Sequence, residues 1–248
     1  MKLVFLGVGE AGDEYYPNNS SLILSDTNLL LDCGFSVPQQ LWRYNADQDF
    51  LDAIYISHFH ADHYFGLPVL LIRMLEEKRT KPLAIICQKG TTDQLCNIIE
   101  LGFRGCQRHF PFKVNYMEVD SSQSVRFNEF DLSFAPTQHT VPNLAIQVKG
   151  NSGSLCYSGD GLFTKETEAL YRTSDLVIHE AFALKGPMVG HATIDQLLQM
   201  AERNSLKALA LTHIQRQVRR LEKDQINELI SQAATHVFIP EPMDTIEL

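Results

Sequence analysis

Ser57-His58-Phe59-His60-Ala61-Asp62-His63 is the stretch that decides how the chain reads, with three imidazoles and one carboxylate inside six residues. It follows Ala53-Ile54-Tyr55-Ile56, a short apolar run that reads as a buried strand. Residues two apart in an extended chain face the same side. His58, His60 and Asp62 therefore project together off the strand's end, and His63 joins them only if the chain turns. Gly66-Leu67-Pro68 supplies a turn and opens a helix whose apolar face is Leu67, Leu70, Leu71, Met74 and Leu75. Pro68 suits the first turn of that helix. Neutral imidazole nitrogens and carboxylate oxygens suit zinc and also accept manganese or iron. A chance run of surface polar residues would not gather four ligand-type side chains at this spacing.

At 248 residues, 44% hydrophobic and 21% charged, the composition is that of a soluble globular chain. No composition break or Gly/Ser linker divides it, so residues 1–248 are expected to form a single domain. No apolar run approaches 18 residues, and no membrane span is expected. Met1 to Leu6 breaks at Gly7, too soon for a signal peptide, and reads as a first strand. The five cysteines, Cys33, Cys87, Cys96, Cys106 and Cys156, are scattered and never spaced Cys-x-x-Cys, which points to reduced thiols in a cytoplasmic protein. The net charge of −9 weighs against a protein that grips a long polyanion by its backbone.

Gly7-Val8-Gly9-Glu10-Ala11-Gly12 fits the spacing of a dinucleotide fingerprint, but that reading needs a helix straight after the glycines. The next residues contain Pro17-Asn18-Asn19 and show no helical period, so the segment reads as a glycine loop near the site. Ser21–Leu24 and Leu29–Leu31 form a hairpin pattern. Leu83–Cys87 reads as a strand, Thr91–Leu101 as a helix, and Val114–Phe134 as strands of a second sheet. Leu144–Val148, Ser154–Tyr157, Asp175–Ile178 and Leu206–Leu211 are further strands. A helix carrying Ile194, Leu197, Leu198 and Ala201 lies between the last two. A final helix from about Arg219 to Ala233 places Leu221, Ile226, Leu229 and Ile230 on one side, and Val237-Phe238-Ile239 closes the chain. His109 and His236 read as structural or surface residues. Arg104, Arg108, His109 and Lys113 read as a solvated loop in preference to an anion-binding rim. Arg216, Arg219, Arg220 and Lys223 fit a phosphate-binding cluster and a solvated helix face equally. Alternating strands and helices in both halves predict an αββα sandwich of two mixed sheets, with the site along one edge.

His58-x-His60-x-Asp62-His63 resembles the defining motif of the metallo-β-lactamase fold superfamily of metal-dependent hydrolases. Asp32 in Leu30-Leu31-Asp32-Cys33-Gly34, His139 in Gln138-His139-Thr140, Asp160 in Ser158-Gly159-Asp160-Gly161, and His213 in Thr212-His213 match its other motifs in order. The resemblance implies two divalent metal ions, zinc with manganese or iron as alternatives. His58, His60 and His139 would hold one ion, Asp62, His63 and His213 the other, with Asp160 bridging and Asp32 supporting the ligands. Asp62 would be a ligand, the base that takes a proton from water, or both.

Within the superfamily the chain is most similar to the ribonuclease Z-like and phosphodiesterase branch. That branch's His-Glu-Ala-Thr and His-Ser-Thr segments stand here as His179-Glu180-Ala181-Phe182 and His191-Ala192-Thr193, each altered at one position. The implied roles are Glu180 orienting His191, and His191 donating to the phosphate or leaving oxygen. The alternative is that His191 caps its helix. Ribonuclease Z proper carries a long tRNA-gripping arm between the third and fourth motifs, whereas only twenty residues separate His139 from Asp160 here. The expectation is a dinuclear metal-dependent phosphodiesterase acting on a small or short phosphodiester, such as a cyclic nucleotide or cyclic sugar phosphate, and not on tRNA. Hydrolysis of an ester, thioester or lactam is an alternative, as is a non-hydrolytic metal-binding protein serving as a nucleic-acid-binding subunit or carrier. The branch also implies a homodimer.

Overall fold

In the computed structural model, which describes residues 1–248, the first half runs β1 (Lys2–Gly7), β2 (Ser20–Leu24), β3 (Leu29–Leu31), α1 (Val37–Tyr44), β4 (Ala53–Tyr55), α2 (Ala61–Tyr64), α3 (Leu67–Glu76), β5 (Leu83–Gln88), α4 (Thr92–Gly102) and β6 (Val114–Val119). The second half runs β7 (Val125–Phe127), β8 (Phe130–Pro136), β9 (Leu144–Lys149), β10 (Ser154–Tyr157), α5 (Lys165–Tyr171), β11 (Leu176–Glu180), α6 (Ile194–Arg203), β12 (Ala208–Thr212), α7 (Arg216–Leu221), α8 (Lys223–Ser231), β13 (His236–Phe238) and β14 (Thr245–Glu247). One sheet has the order β14-β1-β2-β3-β4-β5-β6, the other β13-β12-β11-β10-β9-β8-β7. Each is antiparallel on one side and parallel on the other. In the first sheet β3 to β6 run parallel, and in the second β10 to β13 do.

Strand pleating sorts the side chains into layers. Leu3, Phe5, Tyr55 and Ile86 of the first sheet meet Phe130, Phe134, Ile146, Tyr157 and Ile178 of the second in one core between the sheets. The alternate residues Val4, Leu6, Leu30, Ile54 and Ile85 face outward, against Leu41 of α1, Leu67, Leu70 and Leu71 of α3, and Leu95 and Ile99 of α4. On the other flank Cys156, Val177, Leu209 and Leu211 pack against Ile194, Leu197, Met200 and Ala201 of α6 and Ile226 of α8. The architecture is the expected αββα sandwich. Arg79, wholly buried, donates to the carbonyls of Gln48, Leu51, Lys81 and Pro82 and so ties together the entries to β4 and β5.

Four details differ from the sequence reading. Val114–Val119 belongs to the first sheet, paired parallel with β5 across the α4 crossover, so only the strands from Val125 onward build the second sheet. The final helix is two, broken at Glu222, and Leu221 is 71% exposed where the continuous pattern placed it inward. Helices α1 and α5 were not marked by a long apolar period. The closing strand is β14, which pairs with β1 after Val237-Phe238-Ile239 has already ended. No helix follows the glycine loop, as the dinucleotide fingerprint would have needed: residues 8–19 return through a bridge between Gly9 and Asn18. His109 and His236 are exposed.

Candidate metal centre

The parallel strands of both sheets end at the same edge, and the site is built from the residues that follow them, as expected where sheets present ligands beyond their carboxyl ends. Asp32 follows β3, His58 and His60 follow β4, Asp160 follows β10, Glu180 ends β11 and His213 follows β12. Asp32 and His213 both take the left-handed conformation, with φ of 60° and 53°. That conformation is uncommon for non-glycine residues, Asp and His being among those that adopt it more readily, and Lys78, Asn128, Ser205 and Met243 also take it here. The turn at His63 is α2, whose N-cap is His60. Asp160 sits between Gly159 (φ +61°) and Gly161 (φ +110°). A Cβ on Gly159 would lie 2.3 Å from Asn143 Oδ1, so only glycine lets the turn seat its aspartate here.

Two interlocked groups result. His58, His60, His139 and Asp160 form one; Asp62, His63, Asp160 and His213 form the other. Within each, the candidate ligand atoms all lie within 4.8 Å of one another. His60 Nδ1 is 3.1 Å from His139 Nε2, and His58 Nε2 is 3.7 Å from Asp160 Oδ2. In the second group His63 Nε2 is 3.2 Å from Asp62 Oδ2 and 3.4 Å from Asp160 Oδ1. His213 Nε2 is 3.3 Å from Asp62 Oδ2 and 3.5 Å from Asp160 Oδ2. Zinc–nitrogen bonds of about 2.0–2.1 Å in a tetrahedron set neighbouring donors roughly 3.4 Å apart, the spacing seen. His58 Nε2, His63 Nε2 and Asp160 Oδ1 are buried without a hydrogen-bond partner. They approach one another yet are misaligned for bonding, because they converge on common points. A divalent cation fits these donor sets.

The far sides of three of the imidazoles fix their tautomers. His63 Nδ1 donates to Asp32 Oδ2 at 2.7 Å. The Ser57 hydroxyl donates its one proton to the same oxygen at 2.7 Å, so His58 Nδ1, 3.0 Å from Ser57 Oγ, must be the donor there. His139 Nδ1 donates to the Gly190 carbonyl at 2.5 Å. Each arrangement leaves Nε2 with its lone pair toward the centre, which is how outer hydrogen bonds orient metal ligands. Tyr157 and the Ser57 backbone N–H complete the Asp32 shell.

Electrostatics in the ion-free pocket pull in opposite directions. Burial pushes Asp62 and Asp160 up, but His63 and His213 hold both well below the usual carboxylate range. Burial pulls His213 down, but Asp160 and Asp62 carry it to about 9. His58 is driven low by burial and by His63.

Glu180, fully buried, accepts from the backbone N–H groups of Gly161, Ala192 and Phe182 and from His191 Nδ1 at 3.2 Å. His191 lies beside the ligands, its ring centroid 5.0 Å from that of His139 and 5.8 Å from that of His213. It does not cap α6; the N-cap is Thr193, paired with Gln196. His179 stays out of the site, buried against Tyr171 and Phe163. The sequence reading missed Ser57, Tyr157, Asn143 and Phe182. Phe182 stacks on His191 with centroids 4.5 Å apart. Only Phe182 left a trace in the sequence, as the altered fourth position of its segment.

Comparison with known proteins agrees with this fold. Human short-form tRNase Z superposes with a TM-score of 0.79 at 23% identity, covering 100% of this chain and 99% of that one. The metallo-β-lactamase fold protein YhfI from Bacillus subtilis gives 0.83 at 20% identity, covering 100% and 99%. In sequence, ribonuclease Z of Methanococcus maripaludis is 24% identical over 98% of this chain and 96% of its own length. Anti-Pycsar protein Apyc1 of Paenibacillus harenae is 28% identical over 82% and 85%. The family model described as anti-Pycsar protein Apyc1 matches residues 1–236, so the chain, with its metallo-β-lactamase fold and ribonuclease Z-like relatives, belongs to that family.

Proposed function

We propose that residues 1–248 form one hydrolase domain that cleaves a small or short phosphodiester at a dinuclear metal site. The carrying observation is the pair of donor sets that share Asp160 and leave buried ligand atoms unpaired. His58, His60 and His139 would hold one ion, Asp62, His63 and His213 the other, with Asp160 between them. Zinc fits best, since every donor is an imidazole nitrogen or a carboxylate oxygen; manganese and iron tolerate the same set. When bound, such ions supply Lewis acidity and bring the pKa of water from 15.7 down to about 7.

The chain's own groups would do the rest. Asp62 turns Oδ2 to His63 and His213, so its other oxygen is available to take a proton from the attacking water. Glu180 holds His191 by Nδ1 and fixes Nε2 as the atom presented to substrate. Burial pulls His191 down, but its hydrogen bond to Glu180 raises it above an ordinary imidazole. It would therefore carry the proton that a phosphate or leaving oxygen needs.

The relatives named ribonuclease Z support phosphodiester chemistry but not tRNA as the substrate. The M. maripaludis alignment runs over 306 positions against 248 residues here, so that protein has segments this chain lacks. Between His139 and Asp160 the chain has room only for β9, a turn and β10. We also propose a homodimer. Phe35, Phe65, Val69, Leu101 and Phe103 are exposed. The five cysteines are unpaired and four are buried, in keeping with a reducing, cytoplasmic setting. No helix is long and apolar enough to cross a membrane.

The test is metal analysis together with turnover of bis-p-nitrophenyl phosphate and of a thioester. Two equivalents of metal with phosphodiester turnover are expected. Metal without phosphodiester turnover, or faster thioester cleavage, would move the assignment to one of the alternatives.

A further inference from the structure

Asp160 is shared by both donor sets, yet its Oδ1 has no hydrogen-bond partner. Its carboxylate is therefore aimed from the backbone. Three side chains hold that backbone. The Asp160 N–H donates to Asn143 Oδ1 at 3.2 Å, the Asp160 carbonyl accepts from the Thr137 hydroxyl, and the next N–H, of Gly161, donates to Glu180 Oε1 at 3.1 Å. Glu180 is shared with His191. The side chains of Asn143 and Thr137 make their hydrogen bonds to this turn and to each other.

The polarity of these bonds is fixed. Thr137 gives its one proton to the Asp160 carbonyl, so its oxygen accepts from Asn143 Nδ2 at 2.7 Å. The other Nδ2 proton goes to the Ser158 carbonyl at 2.8 Å. One amide thus grips the peptide on each side of Gly159, using its acceptor and both of its donors. The glycines flanking Asp160 make room for this pair. A Cβ on Gly159 would lie 2.3 Å from Asn143 Oδ1, and one on Gly161 would lie 2.5 Å from Thr137 Oγ1. Thr137 and Asn143 bracket the loop between β8 and β9, which the Thr137 N–H closes by donating to the Asn143 carbonyl at 3.2 Å. His139 stands on that loop. Gln88 ties the loop to the segment of His58, donating to the carbonyls of Pro142 at 2.8 Å and Ser57 at 2.7 Å.

We propose that Asn143, relayed through Thr137, is the positioning residue for Asp160: it sets where the shared carboxylate stands relative to His139, and so the affinity for both ions. This rests on the dinuclear reading of the site. A carboxylate that serves two ions has to be placed for both at once, and the outer partners of metal ligands are worth about 10- to 100-fold in affinity. Loosening Asn143 or Thr137 would therefore weaken both binding steps together. A fault in the support of His63 or His139 alone would fall chiefly on one.

The test is titration of the metal-free, full-length protein with zinc in competition with a chromophoric chelator, and with cobalt read by its visible spectrum. Thr137→Val keeps the shape and removes the hydroxyl, Thr137→Ser keeps the hydroxyl, and Asn143→Ala removes the clamp itself. T137V and N143A should each weaken both binding steps by about tenfold or more and alter the cobalt spectrum, while T137S stays within about twofold of the parent. Thermal unfolding in EDTA separates lost folding from lost positioning, and T137V, at a half-buried position, should unfold there with the parent. If N143A does not fold, T137V against T137S decides. Parent-like affinity and spectrum in T137V or in folded N143A, weakening of one step alone, or a T137S as weak as T137V overturns the positioning role. A parent protein that takes up fewer than two ions defeats the dinuclear reading, whereas a parent holding two ions beside an unaltered T137V defeats the positioning role alone.

Discussion

Asp32→Asn isolates the support of the metal centre from its ligands. The Asp32 carboxylate is fully buried and accepts four hydrogen bonds, from Ser57 N, Ser57 Oγ and His63 Nδ1 at 2.7 Å and from Tyr157 at 2.8 Å. Three of the four fall on Oδ2. Asparagine would therefore turn its oxygen to that trio and its amide nitrogen against the Ser57 N–H, where two donors face each other. His63 keeps a partner, but a neutral one, and becomes a weaker ligand. Losing such outer support costs about 10- to 100-fold in metal affinity, or roughly 1.4–2.7 kcal/mol. At an ion concentration near 100 Kd for the parent protein, binding stabilises the fold by about 2.7 kcal/mol; after a hundredfold loss about 0.4 kcal/mol remains. For a chain of this size the difference removes roughly 5–9 °C from the zinc-induced rise in Tm. Scanning calorimetry with zinc and with EDTA measures it. An Asp32→Asn protein whose zinc-induced rise matched the parent's would refute the claim that Asp32 tunes the ligands through His63 and Ser57.

His191→Ala should retain the metals but lose about 10²–10⁴ in kcat on a phosphodiester; full turnover at unchanged metal content would rule out a role for His191 in the reaction. Ion binding should release protons at pH 7. Burial lowers His213 but Asp160 and Asp62 raise it to about 9, so its imidazole is protonated below that pH and must lose its proton to ligate. Affinity should therefore rise as pH climbs toward 9, and calorimetry in buffers of different ionisation enthalpy should count at least one proton; none would contradict the assignment of His213 as a ligand. Gly159→Ala places a Cβ 2.3 Å from Asn143 Oδ1 in a left-handed backbone, and should cost about 1–3 kcal/mol or more in urea unfolding; a neutral result would show that the turn can give. Leu101→Arg, at a position 81% exposed, should yield monomers in sedimentation without lowering thermal stability, and an unchanged dimer would place the interface elsewhere.

What the sequence made legible follows the range of each signal. Residues 58–63 declared themselves because four ligand-type residues stand at local spacing and the turn at His63 follows from Gly66 and Pro68. Asp160 and His213 carry no local mark. A Gly-Asp-Gly turn and a histidine after a strand are ordinary, and only the order of motifs along a resembling family distinguished them. The sheet to which Val114–Val119 belongs depends on its parallel pairing with Leu83–Gln88, and β14 on a pairing between Val4 and Thr245; strand pattern alone carries neither. The break at Glu222 was hidden because α7 and α8 continue each other's polarity. Ser57, Tyr157 and Asn143 act through hydrogen bonds to residues far away in sequence, which no periodicity reports.

The four buried carboxylates at the site show where positive charge is still wanted. Burying an ionised carboxylate costs several kcal/mol unless its oxygens are satisfied. Asp32 is satisfied by four donors and Glu180 by three backbone N–H groups and His191. Both spend their hydrogen bonds on turning an imidazole. Asp62 and Asp160 differ. Asp62 has one side-chain hydrogen bond, from His213. Asp160 has an oxygen with none, and the imidazoles around it are misaligned for donation. The fold therefore divides its acids into two that organise the site and two that remain under-satisfied at its centre. The second pair is where a divalent cation gains most, so metal binding and the last increment of folding stability should be the same event, which chelation would reverse.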